Sequence, residues 1–282
     1  MKTNEDLERQ YNARLSIPEH PEIFARWAER SKAARAELPC FLDVAYGEGE
    51  AGNETLDIFP AAGPSRALLM FIHGGYWRGL DKGDFSYLAP AFRRAGVTLA
   101  NVNYALAPHV TIEDIVRQLL KASAWLYRNA ARFGASPERL FVAGHSAGGH
   151  LTAMMLAAQW PRYATDLPVT LFKGGLAISG IYELAPLIET SVNADIRLDA
   201  TTAARLSPAF MPPATDAPLM TAVGGTESDE FRRQNNLIGK RWHACFRGDI
   251  AMPGYNHLTV VEELANPASP LFAGALDLIE AG

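Results

Sequence analysis

The sequence predicts an α/β fold: a mostly parallel central sheet with helices on both faces and a small helical or irregular cap. Three observations carry that expectation. Short, wholly apolar runs alternate with helical stretches, the pattern of crossover units whose sheet is covered on both sides. Several of those runs stop abruptly at glycines, as buried strands do. A glycine-flanked serine pentapeptide sits between one such strand and the helix after it. The 282 residues, 48% hydrophobic and 20% charged, are enough for one large core. A single domain over 1–282 is expected, since α/β folds run to about 250 residues as one unit.

Taken in chain order, residues 1–39 read as a helical segment, with Ile23, Phe24, Trp27 and Ala28 on one face after Pro18 and Pro21. Leu42 to Tyr46 and Thr55 to Phe59 read as a hairpin around the turn residues GEGEAGN. Ala67 to Ile72 (ALLMFI) is a buried strand. Asp84 to Arg94 is a helix closed by Gly96, and Val97 to Val102 the next strand. Ile112, Ile115, Val116, Leu119 and Leu120 keep helical spacing, so a helix runs from Thr111 to Phe133 and stops at Gly134. Leu140 to Ala143 is a strand, Ala147 to Gln159 a helix and Gly175 to Ser179 a strand. Pro218 to Val223 and Ala244 to Met252 continue the pattern, and Ser269 to Ala281 closes it. The stretch from about 181 to 213 shows no clean strand. It reads as a cap-like insertion over the sheet end where ligands of open α/β folds bind.

Composition removes several functions. With 26 basic and 31 acidic residues, a net charge of -5, the chain lacks the basic footprint of a nucleic-acid binder. Its densest apolar run is six residues, far below the ~20 that span a bilayer, and the N-terminus has no apolar signal-peptide centre. No membrane contact and a cytoplasmic location are therefore the expectation. Cys40 and Cys245 are the two cysteines; they form no zinc spacing and no disulfide framework. No metal and no organic cofactor is implied. The partner is a small-molecule substrate, and a homodimer is left open.

The chemistry starts at Gly144-His145-Ser146-Ala147-Gly148. This G-x-S-x-G lies after a strand and before a helix, the context of a nucleophile elbow, which makes Ser146 the candidate nucleophile. Upstream, His73-Gly74-Gly75-Tyr76-Trp77 follows the strand 67–72. Amides at Gly74 and Gly75 are placed to stabilise an oxyanion, with the Ala147 amide as a further donor. His73 reads as a residue that shapes this loop. Serine is a weak nucleophile and needs a histidine oriented by a carboxylate.

Seven histidines are present, and in this strand order the base follows the serine and the acid. Only His243 and His257 lie well beyond Ser146. His257 follows the strand 244–252 at its C-terminal end, whereas His243 precedes that strand, so His257 is the candidate base. His145 and His150 flank the serine; the first points off the elbow and the second lies in the helix. The acid belongs in Gly224-Gly225-Thr226-Glu227-Ser228-Asp229-Glu230. Glu227 is the first candidate and Asp229 the second, with Glu230 and Asp216 behind. Tyr76, Trp77, Tyr104 and Tyr182 either line an aryl-binding pocket or pack in the core.

The segments HGGYW, NYALAP (103–108), GHSAGGHL (144–151), SGIYEL (179–184), EFRRQ (230–234) and NHLTVVEEL (256–264) resemble the kynurenine formamidase (arylformamidase) group of the α/β-hydrolase superfamily. YNARLSIPEHPEIFARW at the N-terminus resembles bacterial members, so the likeness covers nearly the whole chain. HGGYW is its most specific part, because related esterases carry a third glycine where Tyr76 stands. The resemblance implies an α/β-hydrolase fold and hydrolysis of an aryl formamide such as N-formyl-L-kynurenine, a step of tryptophan catabolism. The alternative is a carboxylesterase or small amidase on the same scaffold. The triad would map onto Ser146, Glu227 and His257, and the oxyanion loop onto Gly74 and Gly75. Eukaryotic members carry Asp where this chain has Glu227.

Overall fold

A computed structural model describes residues 3–47 and 53–282, so most of the turn expected between the first two strands lies outside the described residues. Three helices open the chain: α1 (Glu5–Tyr11), α2 (Ala13–Ser16) and α3 (His20–Glu37). The buried stripe of α3 is Ile23, Trp27, Ser31 and Ala34. The sequence had placed Ala28 on that face, but it is exposed. The stripe runs at i, i+4, i+8 because Ser31 is drawn into the seam, where its hydroxyl donates to the Asp84 carbonyl at 2.8 Å.

Strands β1 (Phe41–Ala45) and β2 (Thr55–Phe59) form the expected antiparallel pair. After β3 (Ala67–Ile72) the chain makes a 3₁₀ turn over Lys82–Leu88, then α4 (Ala89–Arg94) and β4 (Val97–Val102). One helix had been expected over 84–94. The 3₁₀ part is set by a capping box between Asp81 and Asp84 and by docking against Ser31, whose oxygen accepts from the Tyr87 amide.

Helix α5 (Ile112–Asn129) is capped by Thr111 and Asp114. It tightens into a 3₁₀ turn, Ala130–Phe133, and ends where Gly134 takes φ 73. Then follow β5 (Leu140–His145), α6 (Ala147–Leu156), α7 (Trp160–Tyr163) and β6 (Phe172–Ile178). The stretch read as irregular carries the short helices α8 (Asn193–Ile196) and α9 (Ala200–Arg205) between 3₁₀ turns. The chain closes with β7 (Leu219–Gly224), α10 (Asp229–Arg241), β8 (Phe246–Met252), α11 (Thr259–Glu262) and α12 (Pro270–Ala281).

The described strands form one sheet in the order β1-β2-β4-β3-β5-β6-β7-β8. β2 runs antiparallel to β4, and every pairing from β4 to β8 is parallel. β3 and β5 are apolar because both faces are covered: every residue of each is buried. The even and odd residues of β3 feed two separate clusters. Leu68, Met70 and Ile72 pack under α5 and α6, while Leu69 and Phe71 pack under α3, α4 and α12. All parallel strands therefore end on one edge, where the loops after β3, β5, β7 and β8 converge. Across that edge the insertion meets the N-terminal segment: Glu8 accepts from the Ser191 amide and hydroxyl, both at 2.7 Å. No described helix is long and apolar enough to cross a membrane.

Candidate active site

Ser146 stands at the join of β5 and α6 with φ 58 and ψ -117, a conformation that L-residues rarely adopt and that clusters at functional sites. The flanking glycines allow it. A Cβ on Gly148 would lie 1.9 Å from the Ile72 carbonyl oxygen, and one on Gly144 2.2 Å from the Gly148 carbonyl oxygen. The elbow therefore folds only because these two positions have no side chain.

The loops bring Ser146, His257 and Glu227 into one line. His257 Nε2 lies 3.0 Å from Ser146 Oγ, and His257 Nδ1 lies 2.6 Å from Glu227 Oε2. All three residues are buried. A buried carboxylate is costly unless its lone pairs are filled, and here they are. Oε1 of Glu227 accepts from the Ser179 hydroxyl at 2.5 Å and the Gly224 amide at 2.7 Å. Ser179, the residue after β6, takes φ 49, so a second unusual backbone conformation aims a group at the same site. The other acids lie elsewhere. The Asp229 side chain is 82% exposed and pairs with Arg232. Glu230 accepts from the Tyr11 hydroxyl and pairs with Arg233. Asp216 is exposed before β7, as His243 is before β8.

Two further histidines frame this line. His145, read from sequence as pointing off the elbow, lies against His257 with ring centroids 4.8 Å apart. Its Nε2 donates to the His257 carbonyl at 2.7 Å, which pins the loop that carries His257. Burial, and secondarily the neighbouring His257, push its pKa well below the usual histidine range, so it stays neutral. His150 donates to the Leu206 carbonyl at 2.8 Å, tying α6 to the insertion. Burial pushes its pKa down to about 4.

The loop after β3 curls tightly. Gly75 takes φ 101, and Tyr76 and Trp77 take φ 53 and 56. Its base is fixed by His73, which is buried, stacks on Tyr104 at 4.2 Å and bonds the Gly74 carbonyl from Nδ1 at 2.8 Å. Among the described residues the Gly75 amide has no acceptor. Ala147 opens α6, so its amide is one of the unfilled donors of a helix N-terminus.

Ser146, His257 and Gly75 line a cavity of about 340 Å³. Of the four aromatic residues named from the sequence, Tyr76 lines it. Trp77, Tyr104 and Tyr182 are fully buried and do not. Trp77 turns back into the core edge-on to His150, Tyr104 donates to the His73 carbonyl behind the loop, and Tyr182 packs under α10, where its amide donates to Gln234. The aromatic wall comes instead from Phe24 and Trp27 of α3. Their i, i+3 spacing had read as a core face, and nothing local marked it as a cavity wall. The described residues hold no group of three or more His, Cys, Asp or Glu side chains arranged to bind a metal.

The alpha/beta hydrolase fold model matches residues 69–245. The chain is 28% identical to the kynurenine formamidase of Salmo salar, over 93% of this chain and 92% of that one. It is 30% identical to the kynurenine formamidase of Danio rerio, over 73% and 69%. A crystal structure of a candidate thioesterase from Silicibacter sp. superposes with a TM-score of 0.84 at 32% identity, covering 95% of this chain and 97% of that one.

Proposed function

Because the chain belongs to the α/β-hydrolase family and is a hydrolase of its kynurenine formamidase-like kind, we propose that it cleaves an aryl formamide such as N-formyl-L-kynurenine to the free aryl amine and formate. The observation that carries this reading is the Ser146–His257–Glu227 line, with both of its hydrogen bonds at 3.0 Å or less, opening into a cavity walled by Phe24, Trp27 and Tyr76.

In the proposed reaction Ser146 Oγ attacks the formyl carbon while His257 Nε2 takes its proton. Glu227 holds the Nδ1 proton and stabilises the imidazolium. The amides of Gly74, Gly75 and Ala147 are the donors for the oxyanion, preorganised where its charge develops. His257 then gives its proton to the aryl nitrogen, the C–N bond breaks and the amine leaves. Water, deprotonated by the same imidazole, attacks the formyl ester on Ser146. Formate departs and the serine is regenerated.

The test is a substrate panel: N-formyl-L-kynurenine against 4-nitrophenyl acetate and butyrate, with kcat/KM for each. A formamide preference of tenfold or more supports the reading. Turnover of the esters with none of the formamide would replace it with a carboxylesterase or thioesterase, a second reading favoured by the candidate thioesterase neighbour. Covalent labelling of Ser146 by an organophosphate is expected under either.

A further inference from the structure

The cavity has a charge imbalance that the proposed chemistry does not use. Three charged side chains line it: Arg14, Arg78 and Asp195. Arg78 and Asp195 neutralise one another in an ion pair at 2.5 Å. Arg14 has no carboxylate partner among the described residues. Its guanidinium lies over the ring of Phe24, 5.5 Å from the centroid, and Phe24 itself lines the cavity. Glu227 lies behind His257, outside this cavity. The result is one uncompensated cation beside an aromatic wall, in a chain whose net charge is -5.

Arg14 is also held in place. The segment before it is docked by the Tyr76 hydroxyl, which donates to the Tyr11 carbonyl, and by the Ser228 hydroxyl, which donates to the Gln10 carbonyl at 2.6 Å. The first of these bonds comes from the oxyanion loop and the second from the loop of Glu227, so Arg14 is tethered to two of the segments that form the site. A planar guanidinium matches a carboxylate with two parallel hydrogen bonds.

We infer that Arg14 reads a carboxylate on the substrate: the cavity takes an aromatic acyl compound with a free acid on its side chain, the ring against Phe24 and Trp27 and the acid on Arg14. This rests on the reading of Ser146 as the nucleophile. It deepens the formamidase reading by naming the residue that holds the substrate's carboxylate.

The experiment uses two matched pairs, each an acid and its neutral primary amide: N-formyl-L-kynurenine with its carboxamide, and 3-(2-acetoxyphenyl)propionate with its carboxamide. In the wild-type enzyme the acid is expected to have about a fivefold higher kcat/KM than the amide, the range of a solvent-exposed ion pair. The difference should sit in KM, because a remote group binds ground state and transition state alike. High salt should shrink it, because Arg14 is exposed. Arg14→Gln should bring the ratio within about twofold. Equal values for acid and amide in the wild type overturn the inference, and so does an Arg14→Gln variant that keeps the full ratio. If the formyl pair is not turned over and the acetates are, the formamide reading falls, and the acetate pair still decides Arg14.

Discussion

Glu227→Gln is the most discriminating change, because the hydrogen bonds around Glu227 dictate which way the amide must sit. Oε1 of Glu227 accepts from two donors, the Ser179 hydroxyl and the Gly224 amide. The glutamine oxygen has to stay there, so its NH₂ faces His257 Nδ1, where Oε2 now lies at 2.6 Å. Two donors cannot face each other. The imidazole must present a lone pair at Nδ1 and move its proton to Nε2, the nitrogen 3.0 Å from Ser146 Oγ. In that tautomer it cannot take the serine proton. The equivalent substitution in a serine protease costs about 10⁴ in kcat, or about 5.5 kcal/mol. The measurement is kcat on 4-nitrophenyl acetate and on N-formyl-L-kynurenine, at equal folded fraction by circular dichroism. Asp229→Asn is the control. Its ion pair with Arg232 is on the surface, where such pairs are worth at most about 1 kcal/mol, so kcat should stay within about twofold. A Glu227→Gln enzyme within tenfold of wild type, or a dead Asp229→Asn, would refute the assignment.

Ser146→Ala should lower kcat by about 10⁴ or more and abolish organophosphate labelling; retention of a tenth of the activity sinks the elbow as nucleophile. Ser179→Ala removes one charge-assisted bond from Glu227 and should lower kcat about tenfold with KM within twofold; an unchanged kcat would make Ser179 a purely structural residue. Gly148→Ala should destabilise the fold by about 2 kcal/mol or more, read as a lower denaturant midpoint, because the new Cβ meets the Ile72 carbonyl at 1.9 Å. Finally, His150 titrates near 6.5 when unfolded and is pushed down to about 4 by burial. Below pH 6.5 the unfolded chain therefore binds a proton that the fold refuses. Stability is complete above 6.5 and falls as the pH drops toward 4, by about 3 kcal/mol from this residue. Unfolding curves of wild type and His150→Gln from pH 7.5 to 4.5 should diverge, the variant losing less; parallel curves would refute this.

What the sequence made legible is what short segments determine on their own. The elbow needs a strand, two glycines and a helix within a dozen residues, and all of these are visible in 140–156. The loops after β3, β7 and β8 could be placed because parallel strands deliver their C-terminal ends to one edge. The cavity wall was not legible, because Phe24 joins Ser146 in one cavity only through the docking of the N-terminal segment on loops more than fifty residues away. The aromatic residues beside the motifs misled for a local reason. Consecutive residues with positive φ at Tyr76 and Trp77 send adjacent side chains in different directions, one to the cavity and one to the core. The place of His145 is not legible locally either, because it is fixed by a bond to the backbone of His257, 112 positions away.

This division follows from how the fold distributes its tasks. The proposed nucleophile, base, acid and oxyanion donors hang on the ends of β3, β5, β7 and β8, and their positions are over-determined by buried strands and by glycines that tolerate no side chain. The groups proposed to choose the substrate hang on the N-terminal segment, which is held to the loop of Glu227 and to the insertion by hydrogen bonds such as Ser228 to Gln10 and Ser191 to Glu8. On this reading, changing Phe24 or Arg14 should alter what fits without moving Ser146, whereas a side chain at Gly148 would collide with the Ile72 carbonyl whatever the substrate. A shared scaffold can therefore carry formamidases and esterases with one chemistry, and the inference about Arg14 places the reading of the substrate in residues 10–27 rather than in the motif around Ser146.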